Sequence, residues 1–155
     1  MRLWCKKCRV ERTMEEALKK PVDTMFGDGM WWHCRTCGTE LKQYPALGAQ
    51  EEAVLGKVRS ALIRLEQGDG LEPLQTCQLL WEMQDCYAAA QNRVAACAVL
   101  FNLQWLAQTS GLPGWPVAAA ERFNQLAAIT LGLPHQTCCS LPQLLERFVR
   151  DYCPQ

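Results

Sequence analysis

Cys5 and Cys8 in "MRLWCKKCRV" and Cys34 and Cys37 in "MWWHCRTCGT" share one spacing, two residues between thiols, and a tryptophan stands shortly ahead of each pair. A CxxC turn points two sulfurs at one centre while its backbone N–H groups offset their negative charge. Two such turns supply four thiolates, the full set for a tetrahedral ion such as Zn2+ at about 2.3 Å. The 25 residues between Cys8 and Cys34 leave room for a hairpin that brings the turns together. Gly38 follows the second pair, where such a turn needs a residue tolerant of positive φ. Cys5, Cys8, Cys34 and Cys37 are therefore the candidate metal ligands, and one structural zinc ion is the expected cofactor. Four protein ligands leave no open position for water, so the expected role of the metal is to fold a short segment and not to catalyse. Iron in a rubredoxin-like site and redox-active CxxC pairs are the competing chemistries.

The elements "CKKC" and "CRTCG", at this separation, resemble the zinc-ribbon superfamily, which includes ribbons of transcription elongation factors and RNA polymerase subunits. The resemblance covers residues 3–42 and implies a ribbon fold with the four cysteines as ligands. Elongation-factor ribbons also carry an acidic Asp-Glu pair in the hairpin between their knuckles. This chain has "EE" at 15–16 and "GDG" at 27–29, which do not match that arginine-flanked motif, so the resemblance does not extend to that activity.

At 155 residues the chain has room for one compact domain or for a metal module joined to a modest one. Apolar residues make up 49% and charged residues 21%, which excludes wholesale disorder. Formal net charge is +0, so no global field draws the chain to nucleic acid or an anionic membrane. Locally, residues 1–44 hold nine Lys/Arg against six Asp/Glu and residues 45–155 hold seven against ten, a basic head on an acidic body. Ten cysteines suit a disulfide framework in a secreted chain, but the start lacks the apolar stretch of a signal peptide. The longest apolar run, "VAACAVLF", is too short to span a bilayer. A reducing, cytoplasmic location without membrane insertion is expected, where paired CxxC spacing reads as metal or redox chemistry.

The elements that must hold these residues can be read from pattern. "TMEEALKK" has the Thr13–Glu16 capping-box spacing of a short helix, which Pro21 should stop. "FGDGMWW" reads as a glycine turn into a strand ending at Cys34. "KQYPALGAQ" (42–50) reads as linker, giving a ribbon at 1–44, a linker at 45–50 and helices over 51–155. Residues 51–66 place Val54, Leu55, Val58, Ala61, Leu62 and Leu65 on one helical face, ended by "QGDG". Pro73 opens a second helix, residues 88–108 read as a central one apolar on almost every side, and the two can be continuous. Cys86 and Cys97, eleven apart, would then share one buried face. "SGLPGWP" breaks the chain before a helix from Pro116, and Ser140 caps a last helix with the stripe Leu141, Leu144, Leu145, Phe148, Val149 and Tyr152. The expected fold class is thus a small N-terminal four-cysteine zinc ribbon followed by an all-α helical bundle of four or five helices.

Other residues offer contacts. Lys6, Lys7, Arg9 and Arg12 surround the first knuckle and Arg35 lies in the second; together they could neutralise phosphates, though a solvated face diluted by Glu11, Glu15 and Glu16 is the plainer reading. Strand alternation sets Trp31 and Trp32 on opposite faces, one to pack and one, taken as Trp32, to meet a base or a partner. His33 reads as a strand residue facing solvent. Ala128, Gly132 and Leu133 have helix-turn-helix spacing within 125–145, but Pro134 and Pro142 favour a plain loop. Cys77, Cys86, Cys97, Cys138, Cys139 and Cys153 read as packing thiols, with His135 near Cys138 and Cys139 in sequence. No phosphate loop, nucleophile elbow or HExxH is present, and the chain is not expected to be an enzyme. The expected function is a non-enzymatic zinc-ribbon adaptor or structural subunit that docks into a larger protein or nucleoprotein assembly. The alternative is a nucleic-acid-binding regulator using the basic ribbon and a degenerate helix-turn-helix at 125–145. A thiol redox or iron electron-transfer protein is the distant third.

Overall fold

The computed structural model describes residues 1–25 and 27–154, without the side chains of Thr24 and Asp28. The chain divides into two compact units, one of Met1–Ala46 with Arg150–Gln155 and the other of Leu47–Val149. A small sheet region carrying the cysteine cluster is followed by five helices.

In the first unit, β1 (Arg2–Cys5) lies between β2 (Val10–Arg12) and β5 (Lys42–Tyr44), antiparallel to both. Alternation along β1 turns Leu3 and Cys5 inward, each at most 1% exposed. A separate antiparallel ribbon pairs β3 (Ala17–Thr24) with β4 (Gly27–Cys34) and sets Ala17 opposite Cys34. Leu3, Cys5, Ala17, Cys34 and Leu41 form the core, with Cys8, Trp32 and Cys37 packed on it.

Three sequence expectations change here. The Thr13–Glu16 capping box forms, with Thr13 N–H donating to Glu16 Oε2 at 3.0 Å and Glu16 N–H to Thr13 Oγ1 at 3.3 Å, but it closes a turn and not a helix. The residues beyond it pair with β4 as strand β3, and Pro21 is tolerated because each strand of a two-stranded ribbon is an edge. Residues 42–44, which open the linker-like stretch 42–50 but fall within the expected ribbon at 1–44, add a third strand beside β1. The expected glycine turn includes Phe26, which lies outside the described residues; Gly27 to Gly29 belong to the strand that ends at Cys34 as expected.

In the second unit, α1 (Ala49–Glu66) begins inside the expected linker and buries Val54, Leu55, Val58 and Ala61. Its end passes through Gly68 at φ 80. Pro73 opens α2 (Pro73–Ala89) as expected. The break before α3 (Arg93–Thr109) falls at Gln91, with φ 61, followed by Asn92, whose side chain accepts from Ala95 N–H at 3.2 Å. Cys86 and Cys97 are both buried but stand on different helices. Gly114 at φ 85 and Pro116 start α4 (Trp115–Ala128), and Ser140 with Gln143 caps α5 (Leu141–Tyr152). No helix among the described residues is long and apolar enough to cross a membrane.

Residues 129–140 separate α4 from α5 without helix, so the short turn of a helix-turn-helix does not form. A buried polar residue decides this. Asn102, 5% exposed on the apolar α3, donates to Thr137 O at 3.4 Å and accepts from Cys139 N–H at 2.7 Å, pinning the loop to the helix.

Candidate metal centre

The two knuckles are built alike. In the first, Arg9 N–H donates to Cys5 O at 2.7 Å; in the second, Gly38 N–H donates to Cys34 O at 2.8 Å. Both closing residues are left-handed, Gly38 at φ 71 as expected and Arg9 at φ 55. The sequence held the signal for Arg9, since laying "CKKCR" over "CRTCG" puts it in the place of Gly38. A Cβ at Gly38 would meet nothing within 4 Å, so Gly38→Ala carries backbone strain alone. It should cost about 1–2 kcal/mol, and Gly38→Asn less, because Asn tolerates the left-handed region. Urea titrations of the metal-loaded variants check the order; an alanine variant as stable as wild type would refute it.

The knuckles converge through the strands that carry them. Cys5 ends β1 and Cys34 ends β4; beyond Cys37 the chain turns back, with Cys34 N–H donating to Thr39 O and Leu41 N–H to Trp32 O, each at 2.8 Å. The four sulfurs lie within 4.8 Å of one another, with Cys5 and Cys37 Sγ 3.4 Å apart. A tetrahedral ion with metal–sulfur bonds of about 2.3 Å needs sulfurs about 3.8 Å apart, so small side-chain shifts admit one. Cys5 and Cys34 are buried and Cys8 and Cys37 half-buried, a set able to hold a metal with little exposure to water. Among the described residues, this is the one group of three or more potential ligands that could do so.

Electrostatics divide the thiols. Burial pushes the Cys5 thiol up to about 11 against the pull of the Cys8 N–H, which donates to its sulfur at 3.4 Å. Burial opposes ionisation of Cys34 too, but the backbone N–H groups of Cys37 and Thr36 outweigh it, with the thiols of Cys37 and Cys5, and bring it down to about 6. Cys37 is lowered, first by the Thr39 hydroxyl and then by its N–H. Thr39 was missed in the sequence, although it holds in the second knuckle the place of Val10 in the first.

The other expected contact residues scatter. Lys6, Lys7 and Arg9 are exposed on the first knuckle, while Arg35 donates through Nε to Ala17 O at 3.4 Å. Trp32 packs on the core with Lys19 Nζ 5.2 Å from its ring centroid, and its neighbour Trp31 is the outward one, 39% exposed. The register decides this, because Trp32 shares a face with the core residues Cys34 and Ala17. Trp31 instead shares a face with Lys20, Leu18 and His33. His33 is half-buried with Nδ1 3.2 Å from Trp31 O, and it is not one of the clustered ligands. Arg12 is also only partly exposed and turns toward the cluster. Cys138, Cys139 and His135 are exposed, and Cys77, Cys86 and Cys97 are buried among apolar groups, where burial raises their thiols, Cys86 to about 11.

The helical unit contains an open groove of about 760 Å³ between α1 and α2. Gly56 and Ser60 line one side and Leu79 the other, and Trp81 and Trp115 meet edge to face at 6.2 Å. Lys57 and Glu82 bridge the two helices at 2.8 Å. A Cβ on Gly56 would meet nothing within 4 Å, so packing within the chain does not demand glycine there.

No protein-family model matches this chain, and no curated protein or solved structure matches it.

Proposed function

We propose that this protein is a non-enzymatic adaptor or structural subunit. Its cysteine cluster is a zinc ribbon holding one structural Zn2+, and its helices dock into a larger assembly. The observation that carries the reading is the closure of the cluster. Four sulfurs from the chain itself lie within 4.8 Å of one another and would fill every tetrahedral position, leaving the metal none for substrate or water. Zinc is favoured over iron by base rate, and colour separates them, since a ferric four-thiolate site is red and zinc is colourless. The docking half draws support from the groove, whose small α1 residues leave room for a partner protein's helix to approach closely and whose tryptophans offer it apolar anchors.

Exposed Lys6, Lys7 and Arg9, with Lys20 and Trp31 on one face of the ribbon, favour the second reading, a nucleic-acid-binding regulator. The test is binding of zinc-loaded protein to fluorescent duplex and single-stranded DNA and RNA, at about 50 and about 200 mM salt. The adaptor reading expects no binding at the lower salt. Micromolar binding that weakens steeply with salt, and disappears in the variant with Lys6→Glu, Lys7→Glu and Arg9→Glu, would transfer the conclusion to the regulator. In that case the slope counts the phosphates contacted, at about 0.9 per phosphate on duplex DNA.

A further inference from the structure

We propose that Arg12 is the counter-ion of the metal-loaded cluster, its guanidinium turned inward to hydrogen-bond the thiolates of Cys8 and Cys34. The inference rests on the metal-site reading above and gives that site a charged side chain.

Strand register sets the direction of Arg12. It stands opposite Leu3, so the two share a face of the sheet, and Leu3 is a core residue 1% exposed. An arginine on that face points a permanent charge at the cysteine core, and its side chain is only 14% exposed. Among the described residues, its buried Nε has no hydrogen-bond partner. The one acid it meets among the described residues is Glu16, with Nη1 3.4 Å from Oε1, and that exposed carboxylate already accepts from Thr13 N–H and Thr13 Oγ1 through its other oxygen. A charge so placed is costly unless another anion answers it. The sulfurs of Cys8 and Cys34 face it and supply that anion as thiolates.

The charge of the loaded cluster calls for such a partner. Four thiolates around a divalent ion carry two net negative charges, and one guanidinium cancels half of that. Backbone N–H groups face the sulfurs of Cys5, Cys34 and Cys37. Cys8 is faced by Arg12. An N–H···S bond withdraws electron density from the sulfur, so it slows attack by electrophiles and retards loss of the metal. Arg12 therefore serves the metal, and exposed Lys6, Lys7 and Arg9 remain for any external anion.

The test compares wild type, Arg12→Gln and Arg12→Lys in the full chain loaded with Zn2+ and, separately, with Co2+. Release of zinc to a chromophoric chelator and the order in which iodoacetamide modifies the four cysteines are followed together. In Arg12→Gln, zinc should leave about tenfold faster or more, and Cys8 should become the first of the four cluster thiols alkylated; Arg12→Lys should recover part of the protection. A wild-type release rate and alkylation order in Arg12→Gln would overturn the proposal. Should that variant fail to fold, the wild-type protein decides through NMR of the Arg12 guanidinium. Slow exchange of its protons with water in the loaded chain supports the proposal, and fast exchange overturns it. If wild-type protein shows no tetrathiolate Co2+ absorption, the metal reading itself has failed and Arg12 falls with it. If that absorption is present and Arg12→Gln behaves as wild type, only the role of Arg12 has failed.

Discussion

Cys34→Ser should leave the protein without the zinc proposed for its cluster and unfold the strands of the first unit. Cys34 is 1% exposed at the end of β4, and the turn it opens carries Cys37 into the same cluster. Serine offers a harder, far less acidic oxygen, so one corner of the tetrahedron is lost. The consequence is large because the surrounding core is small. Leu3, Ala17, Leu41 and Trp32 are its main apolar side chains besides the cysteines, and a segment of this size rarely folds on apolar burial alone. Structural zinc contributes on the order of 10–16 kcal/mol in comparable small modules, all of it coupled to folding. Zinc affinity should fall by at least about 100-fold. Amide protection in β1–β5 should disappear while the helical far-UV signal of α1–α4 persists. Elemental analysis and hydrogen exchange measure both effects. Equimolar zinc retained after extensive dialysis of the variant would sink the four-thiolate site.

The second large effect lies in the helical unit. Phe148 on α5 is fully buried and meets Tyr87 of α2 edge to face, with centroids 5.3 Å apart. Phe148→Ala removes the ring from a packed interior and leaves a cavity, at a cost of about 3–5 kcal/mol. The lost aromatic contact accounts for about 0.5–1.5 kcal/mol of packing beyond area alone. Set against the roughly 5–15 kcal/mol that holds an ordinary domain together, this should lower the urea midpoint of the helical signal sharply while metal content stays at the wild-type level. A loss below about 1 kcal/mol would mean that Phe148 does not anchor α5.

Short-range geometry was legible from the residues in order. CxxC spacing brings two sulfurs to one side of a turn wherever the chain goes, so the four cysteines of the cluster are visible without coordinates. Helical periodicity with proline starts and glycine stops placed α1 from its apolar face, α2 from Pro73 and α4 from Pro116. Ser140 and the apolar stripe did the same for α5, whose Leu144, Leu145 and Phe148 are buried. The turn at Thr13–Glu16 marks the limit. Its hydrogen bonds are those of a helix start, and only pairing with β4, distant in sequence at Cys34, makes a strand of Ala17–Thr24. "ALKKPVDT" has neither a helical nor an alternating apolar pattern strong enough to decide alone.

Tertiary structure decided the direction of side chains. Neighbouring tryptophans with equal claims were separated by register, Trp32 to the core and Trp31 outward. Arg12, one basic residue among several in sequence, was set apart by standing opposite Leu3. Asn102 looked incidental after an apolar run, and became the latch of the 129–140 loop once Thr137 and Cys139 came within reach. The physical reason is common to all three. Spacing along a chain is local and is dictated by covalent geometry, whereas the face a residue shows, and the partner that meets its charge, are set by strands and helices distant in sequence.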